Sequence, residues 1–363
     1  NVAIGANSMG AADQGSHGSA DVDQNICIGV NSGYGGDFGS SDLNFVDNVA
    51  IGYLAMDGTG SIGGSDNVFI GSNAGGGSWA TAASDKNVGI GTNVLDAAMN
   101  AATENVGLGY GALSALTTAD KNIAIGYSAG EALTTGSENI LIGDRTGDLA
   151  TDAEGMVIIG SAAGTASITN GANGLLAIGY GAGAAITSGA GNTLVGYAAG
   201  DALTTGYSNT VLGRHALGAL VAGFQNTVIG KDAMGSTSSA VDNCVAIGFE
   251  AGKAVNNSNA DGLVAVGYQA GLVADAATAS VFVGYQSGLN VTSGGHNTCL
   301  GFMSGRGITD ASFNTAIGRE AISEGNCTRN AAVGYEALKK STGANNTALG
   351  MQTGALVEDG QEN

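Results

Sequence analysis

Asn122-Ile123-Ala124-Ile125-Gly126 returns along the whole chain, as Asn1-Val2-Ala3-Ile4-Gly5, as Asn226-Thr227-Val228-Ile229-Gly230 and as Asn346-Thr347-Ala348-Leu349-Gly350. Counted by its glycine, the motif occurs twenty times in 363 residues, at spacings of 16 to 24 with 17 the commonest. Self-similarity at a fixed period sets the architecture before any single residue does. A period of 17 is too short for a helix-turn-helix repeat or a propeller blade. It fits one coil of a parallel β-solenoid, or β-roll, with two short strands and two turns. The expected fold is all-β: about twenty stacked coils of about 17 residues in one continuous repeat domain.

Positions are counted here from the motif's glycine. Position −1 is Ile, Leu or Val in all twenty copies, and −3 is mostly β-branched. Side chains two apart share a strand face, and β-branched residues suit a packed, pleated surface. Positions −1 and −3 are therefore expected to line the coil interior. Position −2 points the other way and is also apolar: Ala3, Ala50, Ala124, Ala177, Ala246, Ala316 and Ala348 in many copies, Phe69, Leu141, Ile158, Val211 and Phe282 in others. A strand that is apolar on both faces is buried on both. One solenoid supplies one interior, so the second face calls for another surface, most naturally a second copy of the chain.

The glycine marks a corner, since it takes backbone angles that other residues avoid. Position +3 is small throughout, and +4 is Gly in twelve copies and Met, Leu or Ile in eight. A second apolar residue near +7 (Leu116, Leu133, Leu203, Leu220, Val291) reads as the inward residue of a second, shorter strand. Thr134-Thr135-Gly136, Thr187-Ser188-Gly189 and Thr204-Thr205-Gly206 then turn the chain back.

Position −4 is Asn in fifteen copies: Asn1, Asn25, Asn48, Asn67, Asn87, Asn105, Asn122, Asn139, Asn192, Asn209, Asn226, Asn297, Asn314, Asn330 and Asn346. Stacking places these amides above one another, where each can bond the next. They are read as a structural ladder that fixes the turn rather than as a polar binding stripe.

Composition narrows the function classes. The chain has 65 Gly and no Pro, without the G-X-Y period of collagen. Strict periodicity with 44% hydrophobic residues argues against disorder. No apolar run is long enough to span a membrane. The net charge of −20 repels nucleic acid and anionic membranes. The calcium-binding nonapeptide and EF-hand spacings are absent. Asp37, Asp42 and Asp47 read as one solvated acidic loop. Cys27, Cys244, Cys299 and Cys327 fall at positions that suit small buried hydrophobes.

Residues 1–105 carry insertions at 11–24, 34–47, 57–66 and 75–86, while residues 106–363 form regular coils. Insertions in solenoids map to loops on one side and often carry binding. Solenoids need polar end caps, and none is evident here, so the stretch reads as an interior segment of a longer chain. Trp79, in one insertion, is a candidate ligand platform, although a Trp folded over its own coil is the plainer account. Position +1 holds Tyr110, Tyr127, Tyr180 and Tyr197 among other aromatics, and these four are carried as ligand-facing candidates. His17, His215 and His296 lie far apart with no Cys or carboxylate at metal-ligand spacing. No Walker A lysine and no G-x-S-x-G elbow occurs. No catalytic residue, cofactor or metal site is expected.

The strand Asn-Thr/Val-Ala-Ile-Gly followed by x-x-Ala resembles the head repeat of trimeric autotransporter adhesins, the YadA-like head, and is similar to repeats in phage tail fibres. The likeness runs the length of the chain on one short motif. The period here is longer than the family's usual coil, and no neck, coiled-coil stalk or anchor occurs within these residues. The resemblance implies a left-handed parallel β-roll, three chains packed side by side as a homotrimer, and a role in surface attachment.

The first expectation is a non-enzymatic, extracellular fibre or adhesin segment on a cell or virion surface. It would be about 95 Å long at ~4.8 Å per coil and would recognise an unknown cell-surface or matrix receptor. A phage tail fibre that binds a host receptor is the alternative. A monomeric ligand- or ice-binding solenoid ranks lower, because paired Thr occur in only a few coils. An enzyme on a β-helix ranks lowest, because no acid, base or Arg groups cluster.

Overall fold

The computed structural model describes residues 1–10, 22–35, 44–59, 62–79, 82–238, 240–255 and 260–356. Asp13, His17, Asp21, Asp37 and Asp42 lie outside the described residues, as do parts of all four insertions. The fold is an all-β parallel solenoid. Its only helical element among the described residues is a 3-10 turn at Asn170–Ala172.

Each copy of the motif forms a three-residue strand. Consecutive strands pair in parallel and in register, as in Ile123↔Ile140, Ala124↔Leu141 and Ile125↔Ile142. The chain forms two compact units, Asn1–Gly181 with Ile186–Ser188, and Ala182–Ala185 with Gly189–Asn363. The first holds ten motif strands, from Val2–Ile4 to Leu176–Ile178, and the second ten, from Thr193–Val195 to Thr347–Leu349. The change of loop length near residue 105 does not coincide with the boundary between them.

The strands face the opposite way from the sequence expectation. Position −2 is inside: Cys27, Ala50, Phe69, Ala124, Leu141 and Ile158 are fully buried. Positions −1 and −3 are outside, half-buried or exposed in every motif strand. The reason lies at −4, which has the same parity as −2. Asn25, Asn48, Asn67, Asn87, Asn105, Asn122 and Asn139 are buried, and a side chain two residues further on must share their face. The thin coil also accepts only one inward side chain from a three-residue strand.

The second strand does not form. Leu116, Leu133, Leu203, Leu220 and Val291 are fully buried as expected, but each sits among turns and bends. Among the described residues a small second sheet occurs in the first unit alone, between Val22–Asp23, Phe45–Val46 and Gly64–Ser65. Outside strands the backbone still bonds from coil to coil. Around one corner, Ser128 N–H reaches Tyr110 O at 2.8 Å, Gly130 N–H reaches Thr146 O at 3.0 Å and Thr134 N–H reaches Thr151 O at 2.9 Å. The backbone polar groups are thereby satisfied without long strands.

The corner glycine is obligatory. Gly126 has φ +140°, a region open almost only to glycine, and a Cβ there would collide with the carbonyl of Gly143 in the next coil. Positions −2 and +4 share one volume. Where −2 is Phe, Leu or Ile, +4 is Gly, and the space a Cβ would take is filled: Phe69 meets Gly75, Ile158 meets Gly164 and Phe282 meets Gly288. Where −2 is Ala or Gly, a large residue often occupies +4, as with Ala50 and Met56, Gly89 and Leu95, Gly107 and Leu113. Close packing inside so narrow a coil excludes a Phe, Leu or Ile at −2 together with a large +4, although Val211 with Leu217 and Val228 with Met234 are accommodated.

Candidate interaction face

The interior holds a polar line as well as an apolar one. Asn122 donates its backbone N–H and its Nδ2 to Asn105 Oδ1, each at 3.0 Å. Its Nδ2 also donates to Gly136 O at 3.0 Å. Asn122 Oδ1 in turn accepts the N–H and Nδ2 of Asn139 at 3.0 Å. Every lone pair and N–H of this buried amide is engaged, which removes the cost of burying it. In the first unit the line runs from Asn1 to Asn139 and ends where Met156 N–H donates to Asn139 Oδ1 at 2.9 Å. In the second it links Asn192, Asn209 and Asn226, stops at Cys244, and resumes from Asn297 through Asn314, Asn330 and Asn346. The buried members of this line, all but Asn1, face inward and bond along the stack, so none of them offers an edge to a ligand.

Sequence reasoning missed a second line, at −6, where a side chain caps the backbone of the preceding coil. Asp120 Oδ1 accepts Thr103 N–H at 2.7 Å, Ser137 Oγ accepts Asp120 N–H at 3.0 Å and Asp242 Oδ1 accepts Phe224 N–H at 2.9 Å. The recurrence of Asp and Ser six residues before the corner glycine was the available signal. Some of the chain's acidity therefore serves the backbone.

Trp79 is 4% exposed, so it is no platform. Its indole Nε1 donates to Gly75 O at 3.3 Å and its ring meets Phe69 edge-on at 6.3 Å. Tyr110, Tyr127, Tyr180 and Tyr197 are exposed. Tyr110 and Tyr127 stack at 5.4 Å with planes 10° apart, and Tyr197 meets His215 edge-on at 5.3 Å. In the second unit Phe249, Tyr268, Tyr285 and Phe302 form a continuous stack at 5.3, 5.0 and 5.1 Å. Lys231 lies over Phe249 at 4.8 Å and Arg319 over Phe302 at 5.4 Å. Within a stacked row the ring faces turned toward one another are not open to a sugar. The row covers the corner.

The chemistry of the remaining groups is quiet. Burial pushes the thiols of Cys27 and Cys244 up to about 11 and that of Cys299 up to about 12, which keeps them protonated and unreactive at neutral pH. All four cysteines are free and buried. Among the described residues no three His, Cys, Asp or Glu side chains come together to hold a metal, and no helix is long and apolar enough to cross a membrane. The hydroxyls of Thr117 and Thr134 donate to the carbonyls of Thr134 and Thr151 at 3.1 and 3.0 Å, which ties them into the coil stack.

The outer strand face is what remains. In the first unit, −3 is Val2, Ile26, Val49, Val68, Val88, Val106, Ile123, Ile140, Val157 and Leu176 in successive coils, and −1 is Ile or Leu in all ten. Parallel, in-register pairing aligns them into two aliphatic rows along one side. In the second unit −1 stays aliphatic while −3 is Thr in six of ten strands. Apolar stripes of this extent on an outer surface mark interaction sites. Comparison with family models, with curated proteins and with solved structures returned no match for this chain.

Proposed function

We propose that the chain is a segment of a non-enzymatic extracellular fibre or adhesin, in which three copies associate through their outer strand faces and the assembled body serves surface attachment. The aliphatic side chain at −1 in every motif strand carries this reading. Outward Ile, Leu and Val along the row of each unit gain free energy from burial at roughly 25 cal/mol per Å². The homotrimer and the left-handed coil come from the resemblance of the motif to the YadA-like head. The outward aliphatic rows replace position −2 as the reason for a partner chain.

Attachment, rather than catalysis, is supported by the engaged interior amides, the protonated thiols and the acidic surface. Recognition of the receptor is assigned to the inserted loops of residues 1–105. A virion fibre shares the same architecture and the same test. Light scattering after size exclusion should give a particle of three chains. A monomer at all concentrations contradicts the reading and returns the outer face to some other ligand.

A further inference from the structure

The two units differ on the face through which copies are taken to meet. In the first unit both outward rows are aliphatic through ten consecutive strands. In the second, Thr193, Thr210 and Thr227, and again Thr298, Thr315 and Thr347, put hydroxyls in the −3 row. A Thr buried in an apolar contact must keep a partner or a water for its hydroxyl, whereas Val and Ile need none. Six of the twenty first-unit side chains are exposed, Ile4 at 58% and Ile123 at 37% among them, and the other fourteen are half-buried. At roughly 40–50 Å² each, twenty such side chains offer about 800–1,000 Å² to a partner, close to the ~800 Å² per side of a stable protein interface.

We propose that the strand face of residues 1–181 is the association core of the assembly, and that its occupant is the same face of a second copy; the Thr-bearing strand face of residues 189–356 follows it as a weaker, wetter contact. This rests on the proposal that copies meet at the strand face, and adds which part drives the meeting. The occupant follows from the geometry of the rows. They repeat once per coil, at ~4.8 Å, over ten coils. A second copy offers a surface with that repeat over that length. An anionic membrane is disfavoured by the chain's net charge of −20.

The test uses the full chain and matched charge pairs. Ile140→Glu with Ile142→Glu alters the first face, and Thr210→Glu with Leu212→Glu alters the second. All four residues lie outward on motif strands, and both pairs change net charge equally. Dissociation is followed by light scattering or sedimentation across dilution, with circular dichroism and melting to confirm that each variant is folded. The first pair should raise the concentration at which the assembly dissociates by 100-fold or more, the second by less than 10-fold. A gentler triple, Ile123→Thr, Ile140→Thr and Val157→Thr, gives three consecutive coils of the first face the Thr row found at Thr193, Thr210 and Thr227 without added charge. It should weaken association about 10-fold while the chain stays folded, which keeps the test open if the Glu pair misfolds. Equal effects of the two Glu pairs, or a larger effect from the second, overturn the proposal while leaving self-association intact. A wild-type monomer overturns self-association itself. A monomer that floats with neutral phosphatidylcholine vesicles assigns the face to lipid instead.

Discussion

At the scale of single residues, the repeat is a set of backbone demands met once per coil. The corner glycines take φ between +124° and +144°, and the next coil stacks directly over the missing Cβ. Gly126→Ala should therefore cost about 3 kcal/mol or more in unfolding free energy, from backbone strain of 1–3 kcal/mol plus the clash with Gly143. Gly155 is the control. Its φ is +64° and nothing lies within 4 Å of an added Cβ. Gly155→Ala should cost about 1 kcal/mol. Urea unfolding of the two variants side by side checks the contrast, and equal costs would show that the stacking clash relaxes. The positions of these glycines were legible in the sequence because nothing else tolerates the site. The facing of the neighbouring residues was not. With −1, −2 and −3 all apolar, alternation gives no sign, and the deciding clue was the Asn at −4. Read as a buried, bonded amide, it forces −2 inward; read only as a turn residue, it forces nothing.

At the scale of the coil, two positions trade volume. Phe282 fills its coil and abuts Gly271 and Gly288. Phe282→Ala should cost about 3–5 kcal/mol, as large-to-small core changes do. Adding Gly288→Leu should recover part of that loss, because +4 already carries Leu113 and Leu217 at the same left-handed φ of 53° and 54°. Gly288→Leu alone should be severely destabilising, since its side chain would meet the Phe282 ring. A double-mutant cycle should show 1–3 kcal/mol of coupling, and additive losses would contradict a shared volume. This exchange could have been seen in the sequence by comparing −2 with +4 copy by copy. The missing second strand could not. A buried Leu near +7 is equally compatible with a strand or a turn, and here the closing Thr-rich bends decide for the turn.

At the scale of the whole molecule, the balance of charge sets a pH response. The carboxyls of Asp57, Asp96, Asp148 and Asp201 are raised above their usual range, chiefly by burial, with Asp96 adding repulsion at Asp57. Asp148 Oδ1 and Asp201 Oδ1 are buried without a hydrogen-bond partner. A carboxyl raised in the folded state binds its proton more tightly there than in the unfolded chain. Its stabilising effect is complete below the unfolded value of about 3.9 and is lost as pH rises through the folded value. Opposing it, Glu320 is lowered chiefly by a hydrogen bond from Lys339 and Glu336 by hydrogen bonds from Gln352 and then Lys339, but both are only half-buried and remain screened by solvent. The melting temperature should therefore rise as pH falls from neutral through the folded values of these carboxyls, with the gain complete near the unfolded value of about 3.9. Asp148→Asn with Asp201→Asn should raise Tm at pH 7.5 and flatten the profile; an unchanged slope assigns the response to general surface repulsion.

The in-register pairing of identical strands has one more consequence. Each coil offers the next the same backbone edge, so the first unit is a ruler graduated in coils, and its markings can be removed one at a time. Excising Gly143 to Ile159, 17 residues, joins Ile142 to Gly160. Leu141 then meets Gly164 in place of Gly147, and the freed Asn139 Oδ1 takes the next coil's N–H. Such a chain should keep its β circular dichroism and its cooperative melt. Excising 16 residues leaves a stray residue between strand and corner and should lose both. Length in this protein is an editable quantity, counted in whole steps.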